Sequence, residues 1–395
     1  MPNVRLEGGR LDTRPDECRF RHTTRQLRAI RTLARPSPLP SSTVAFRPAA
    51  DRYTRKTLAV AALAVVVVTA LGCGGDSTSS PGNTDPPGGT STIPAGPYVP
   101  GRSYTGRNGY IEYIAGDAPL IYTAPHGGDL LPADIPDRTA ARCGGSATTA
   151  TDLNTEDLVR AMQQRHFARY GTYPHVIINH LARRKLDANR TDPEAACGNA
   201  AATIALAEWH AFIDSAKATV LRTRGRGWYM DMHGHGHAKQ RLELGYLLTS
   251  AQLGLSDAVL DANRAFQDTA SMRTVSETSP LTFSTLLRGA TSLGSLYAAS
   301  GFPSVPSTSD PNPGGDDYFS GGDDTRRHAC GAEASALGGV TGGLICGVQI
   351  ESNFTGVRDT PANRDRFGDV TAAVLGQYLA THWNLNVGPM SFRPQ

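Results

Sequence analysis

From about Tyr98 onward, short apolar runs alternate with stretches whose apolar residues recur at helical spacing. Pro119–Pro125 (PLIYTAP) is a continuous apolar run of strand length, the pattern of a strand buried on both faces. Thr155–Tyr170 carries apolar residues at three- and four-residue intervals, which predicts a helix with Asp152, Asn154 and Thr155 available to cap it. His175–His180 predicts a second strand, Ala200–Arg224 a long helix, Gly227–His233 a third strand and Arg241–Thr249 a fourth. Residues 255–272 read as helix, Gly342–Ser352 as a late buried strand and Asn363–Trp383 as a closing helix. This alternation predicts a single α/β domain with a central mixed, mostly parallel sheet flanked by helices. Ser304–Cys330 is rich in glycine and aspartate and shows no such pattern; a connection of that length is functional or disordered.

Upstream the pattern changes. Residues 1–55 form a basic leader, rich in arginine and proline without sustained apolar periodicity; a misassigned start is the other reading of this stretch. Residues 56–73 carry the apolar run Leu58–Leu71, too short to span a bilayer as a helix, followed by small residues and Cys73. This resembles a bacterial lipoprotein signal, with Ala70 where leucine is usual; an uncleaved anchor is the other reading. It implies an exported protein, tethered to the membrane of the cell envelope through a lipid on Cys73, or secreted. Residues 74–97 are a Gly/Ser/Thr/Pro tether with little to bury. That leaves 98–395 as one domain, long enough for a substantial core.

The formal net charge of +3 owes much to the arginines of the leader. No basic stripe interleaved with aromatics is present, so nucleic acid is not an implied partner. Of six cysteines, Cys143, Cys197, Cys330 and Cys346 fall in the domain. Three pairings are open, and proximity in sequence favours Cys143 with Cys197 and Cys330 with Cys346. No Cys-x-x-Cys spacing points to a zinc knuckle.

Active sites of open α/β sheets collect at the carboxyl ends of strands. Here those ends carry Pro125-His126-Gly127-Gly128, Asp231-Met232-His233 and Gln349-Ile350-Glu351-Ser352-Asn353, and Ala182–Arg190 (ARRKLDANR) follows the second strand. Two histidines and a carboxylate suit a catalytic zinc site, a second carboxylate can move a proton, and guanidinium groups can hold a carboxylate or an oxyanion. No Gly-x-Ser-x-Gly elbow is present, which disfavours a serine hydrolase.

The ordered series TAPHGG, DLNTEDL, ARRKLDANR, YMDMHGHGH, YFSGGDDTRRH and GVQIESN resembles the N-formylglutamate amidohydrolase family, related to zinc carboxypeptidases of the phosphorylase/hydrolase-like fold. The resemblance implies one zinc ion on His126, Asp152 and His233, with Glu156 the alternative to Asp152. It implies Glu351 as general base and then general acid, unless Glu351 merely pairs with an arginine. Arg184 resembles the arginine that polarises the scissile carbonyl. Asn189 and Arg190 resemble the pair that grips a substrate carboxylate, and Arg326, Arg327 and His328 resemble a loop over the pocket. Past His233, His235 and His237 are expected to line the pocket, orient substrate or face solvent. Asp231 shares the strand face of His233, as a partner for its imidazole or as a buried, satisfied carboxylate. Arg183 and Lys185 read as a solvated charged face. The implied reaction is hydrolysis of an amide bond beside a carboxylate, in a small-molecule or peptide-like substrate. Outside the membrane a peptide, a γ-glutamyl polymer or a cell-wall fragment fits better than formylglutamate. The alternative is a catalytically inactive surface binding protein on the same fold.

Overall fold

The computed structural model describes residues 93–145 and 147–390. The basic leader, the lipoprotein-type signal and the tether up to residue 92 therefore lie outside the described residues. No described helix is long and apolar enough to cross a membrane.

Eight strands form one sheet: β1 (Ser103–Thr105), β2 (Ile111–Ile114), β3 (Leu120–Ala124), β4 (His175–Asn179), β5 (Gly227–Gly234), β6 (Leu242–Gly245), β7 (Ser304–Val305) and β8 (Ile345–Ser352). Their order is β1-β2-β4-β3-β5-β8-β6-β7. The central four, β4-β3-β5-β8, run parallel. Antiparallel pairing joins β2 to β4 on one side and β6 to β8 on the other. The sheet is mixed and mostly parallel at its centre, as the alternation of elements predicts.

Helices cover both faces. After α1 (Ala140–Cys143), α2 (Thr155–Tyr170) lies on one face with α11 (Pro361–Trp383). There Leu158, Val159, Met162, Leu375 and Tyr378 pack on Tyr122, Trp228, Met230 and Val348. On the other face α3 (Ala200–Arg224) buries Trp209, Phe212, Ile213 and Val220 against Ile121, Ile177, Tyr229 and Ile345. Period-two alternation thus sends Tyr229, Asp231 and His233, and likewise Ile345, Gln349 and Glu351, to the α3 side. The lower half of that face is apolar, and its upper end, at the strand C-termini, is polar.

Six short helices follow β6: α4 (Ser250–Leu253), α5 (Asp257–Ala262), α6 (Arg264–Thr269), α7 (Arg273–Thr278), α8 (Phe283–Arg288) and α9 (Leu293–Ala299). The helix expected over 255–272 is broken at Asn263, whose side chain accepts from the Phe266 N–H and starts a new helix. The strand expected over Arg241–Thr249 stops at Gly245. Leu247 takes a left-handed conformation at φ 66, and its N–H donates to Ser320 O at 2.7 Å. The closing helix begins at Pro361 rather than Asn363, because Thr360 caps it and proline suits its first turn. Disulfides join Cys143 to Cys197 and Cys330 to Cys346.

Ser304–Cys330 is ordered by a buried cation. The Arg241 side chain, 1% exposed, reaches Asp310 at 2.7 Å and Asp316 at 3.2 Å. The segment then passes the carboxyl ends of the strands and enters α10 (Asp323–His328).

Candidate functional site

Each of the three strand ends delivers one side chain to a common point. His126 sits two residues beyond β3, in a turn pressed against the end of β4. A Cβ on Gly128 would come within 2.2 Å of the His180 backbone, so only glycine lets the chain pass there. The turn is tied to the start of α2, since Asp152 N–H donates to His126 O at 3.0 Å. Thr155, the first residue of α2, donates its hydroxyl to Asp152 O at 2.9 Å. The Asp152 carboxylate is left pointing at β5, where it accepts from the Gly234 N–H at 3.1 Å.

His126, Asp152 and His233 are all buried. His126 Nδ1 lies 3.1 Å from His233 Nδ1, and Asp152 Oδ2 lies 3.5 Å from the first and 3.2 Å from the second. Three donors bound to one tetrahedral ion at about 2.0–2.1 Å would stand about 3.3 Å apart. The opposite nitrogens are committed elsewhere. His126 Nε2 lies 2.6 Å from Asp187 Oδ1, and His233 Nε2 lies 2.9 Å from Asp231 Oδ2. With Nε2–H donating to a carboxylate on each ring, both Nδ1 atoms present lone pairs to the same point. A set of two imidazole nitrogens and one carboxylate oxygen suits zinc.

Electrostatics at this point favour positive charge. Burial disfavours charge on His233. Asp231, the hydrogen bonds to Asp152 and Asp231, and Glu351 together more than offset it and hold its pKa well above the ordinary value. Burial likewise raises the Asp152 and Asp187 carboxyls, but their histidine neighbours, joined at Asp187 by Arg183 and Arg138, keep both well below the usual range. The carboxylates that favour positive charge on the His233 ring would favour a cation at the same point.

Glu351 faces His233 from the adjacent strand. Burial, with Asp152 and Glu243 adding to it and His233 and Arg183 opposing it, pushes its carboxyl up to about 8. Gln349 Nε2 donates to Glu351 Oε1 at 2.9 Å and holds its orientation. The whole group opens into a cavity of about 310 Å³, walled by Arg183, Arg190 and residues Tyr318–Gly322. Gly322 N–H donates to Gln349 Oε1 at 2.7 Å, which fastens this loop to the sheet.

No family model matches this chain, and no curated protein matches it. Among solved structures it is similar to gene product Atu2144 from Agrobacterium tumefaciens, at 13% identity and a TM-score of 0.34, over 69% of this chain and 95% of that one. It is also similar to N-formylglutamate amidohydrolase from Ralstonia eutropha JMP134, at 11% identity and a TM-score of 0.35, over 69% of this chain and 97% of that one.

The geometry brings together His126, Asp152, His233, Asn189, Arg190 and Glu351, and it corrects the rest. Glu156 is not at the metal point; its carboxylate meets His180 Nδ1 at 3.1 Å. Arg184 is turned outward, its side chain 49% exposed and 4.0 Å from Asp137. Arg183 takes its place, lining the cavity with its Nε 3.1 Å from Asp187, so it is not part of a solvated face. Neither is Lys185, which is buried and donates to Ile135 O at 2.6 Å. His235 spends Nε2 on Arg241 O at 2.8 Å and Nδ1 on the His237 N–H at 3.1 Å, and does not line the cavity. Arg327 and His328 lie at the far end of α10, toward Asp214 and His210. Arg326 pairs with Asp323 and Glu333. Asn189 is buried at the cavity wall, where its Oδ1 accepts from the Asp324 N–H at 2.8 Å and its Nδ2 donates to Gln349 Oε1 at 3.4 Å, so it also braces the site.

Three contributors escape sequence reasoning. Asp187 orients His126, Gln349 orients Glu351, and Arg138, buried, stands 3.5 Å from Asp187. Asp187 carries one signal: it lies in the polar segment directly after β4, four residues from Arg183, at the spacing of a local ion pair.

Proposed function

We propose that this chain is an exported hydrolase that uses one zinc ion, held by His126, Asp152 and His233, to cleave an amide bond beside a carboxylate. The observation that carries the reading is the convergence of two imidazole lone pairs and one carboxylate oxygen, 3.1–3.5 Å apart, on a buried point. When bound, the ion would polarise the substrate carbonyl and make water acidic enough to attack at neutral pH.

This chain's own residues do the remainder. Glu351 takes a proton from the attacking water and returns it to the leaving nitrogen; a cation beside it lowers its pKa from about 8 and readies it as a base. Arg183, poised at the cavity wall, supplies donors for charge developing on the carbonyl oxygen. Arg190, one-third exposed, offers a planar fork to the substrate carboxylate. Asp187 and Asp231 fix the two rings. The loop Tyr318–Gly322 narrows the entrance and limits water.

Two disulfides agree with an oxidising compartment, and the short apolar run before Cys73 agrees with export. The test is activity of purified protein on N-acyl amino acids and short peptides, with zinc added, beside a Glu351→Gln control. Hydrolysis that survives chelation, or that the control retains in full, would overturn the reading.

A further inference from the structure

Beyond β8 the turn Phe354–Arg358 leads toward α11. At its end the Arg358 side chain runs back to the strand ends and is buried, 3% exposed. Its side-chain hydrogen bonds go to backbone carbonyls. Nε and Nη2 donate to Ser352 O at 3.2 and 3.1 Å, and Nη1 donates to Leu153 O. Nη2 also stands 3.5 Å from His235 O, at the limit of a hydrogen bond. These three carbonyls belong to separate segments. Leu153 follows Asp152, Ser352 follows Glu351, and His235 lies two residues past His233. The carbonyl of Arg358 itself accepts from Asn154 Nδ2 at 2.9 Å. The fit is close. A Cβ on Gly234 would lie 2.2 Å from the guanidinium carbon, so glycine there lets the planar group rest against the end of β5.

A brace between β8 and α11 would account for the bonds to Ser352 alone. It leaves the reach to Leu153 and His235 unexplained. Nor does stability suffice as a reason for this side chain. Burying a full charge is costly, and an apolar side chain of like volume avoids that cost. A guanidinium has what the place requires, five N–H donors in one rigid plane that can meet acceptors on several sides at once. An ammonium of equal charge lacks that fork.

We propose that Arg358 is a positioning residue, which sets the spacing of Asp152, His233 and Glu351 by tying together the three segments that carry them. His126 follows, because its carbonyl accepts from the Asp152 N–H. The proposal rests on the reading that His126, Asp152 and His233 hold zinc. Its sign separates it from a plain effect of charge. Arg358 interacts electrostatically with Asp152 and Glu351, and a fixed positive charge there repels a cation. Removing that charge would tighten zinc binding if charge alone mattered, whereas loss of positioning weakens it.

Competition with a chromophoric chelator on the full chain at pH 7 measures zinc affinity, and melting of the metal-free form measures stability. Arg358→Met removes charge and fork together, and Arg358→Lys keeps the charge alone. Each is expected to weaken zinc binding about tenfold or more, the lysine variant no less than the methionine one. Leu260→Ala, buried in α5, is expected to lower the melting temperature and leave zinc affinity unchanged. Unchanged or tighter binding in Arg358→Met, full affinity in Arg358→Lys, or an equal loss in Leu260→Ala would overturn the proposal while the metal reading stands. A parent chain that takes up no zinc would overturn both. Where the arginine variants do not fold, Asn154→Gly decides, since it removes the amide that holds the Arg358 carbonyl and accepts the φ of 66 found there. Weaker zinc binding in that variant supports the proposal, and unchanged binding overturns it.

Discussion

His233 and Glu351 occupy partner positions in the parallel β5–β8 register, and His233 Nδ1 stands 4.0 Å from Glu351 Oε1. One residue offers a lone pair to the metal point and the other holds a carboxyl beside it. The sheet itself sets their separation, because both are strand residues in a hydrogen-bonded ladder. A site built on strands keeps its geometry better than one built on loops.

Replacing Glu351 by Gln keeps the shape and removes the proton acceptor. We expect kcat to fall by about 10²–10⁴, with KM and metal content little changed. Steady-state kinetics with metal analysis of the same sample checks this. A parallel loss of metal would mean that Glu351 holds the ion rather than the proton.

Arg183 and Arg184 are neighbours in sequence with opposite fates. Arg183→Met is expected to lower kcat/KM by about 10²–10³, the usual cost of losing one donor to developing charge. Arg184→Met is expected to change it by no more than about twofold, as befits an exposed pair with Asp137. Measuring both on one substrate decides between them.

Asp187→Asn leaves His126 in place and takes away the negative charge behind it. Zinc affinity is expected to fall about 10–100-fold. Competition with a chromophoric chelator measures it. The same titration at several pH values should show binding weaken as pH falls, since His233 carries a strongly held proton that the ion must displace.

The metal-free protein should lose stability as pH rises. The Glu351 pKa is raised from 4.5 to about 8 in the folded state, so the folded protein binds the proton more tightly than the unfolded chain. That contribution is intact below pH 4.5, declines as pH climbs to about 8, and is absent above it; its steepest slope is about 1.4 kcal/mol per pH unit. His233, also raised, acts in the same direction. Below about pH 4 the depressed Asp152 and Asp187 reverse the trend. Melting temperatures between pH 5 and 8 check the sign, and Glu351→Gln should flatten the slope.

The site was legible where polar residues terminate apolar runs. Strand alternation sets the direction of Asp231, His233 and Glu351, and the end of β3 sets the place of His126. After β4 ends at Asn179 the chain proceeds in turns, and no period says which of Arg183 and Arg184 faces inward. His235 follows the end of β5 and escapes the alternation for the same reason. His328 was misplaced because its distance from the loop is set by six residues of helix that the glycine- and aspartate-rich stretch does not announce. The edge strands β1 and β7, and β2 next to β1, are too short for a periodic pattern. Asp187 and Gln349 act through other side chains, and only packing reveals such partners.

The central claim is that one ion sits among His126, Asp152 and His233. An anomalous difference map at the zinc edge, from crystals of protein purified with zinc, tests it most directly. One peak is expected, about 2.0–2.1 Å from both Nδ1 atoms. No peak there, or a peak only at His210 and His328, would contradict it.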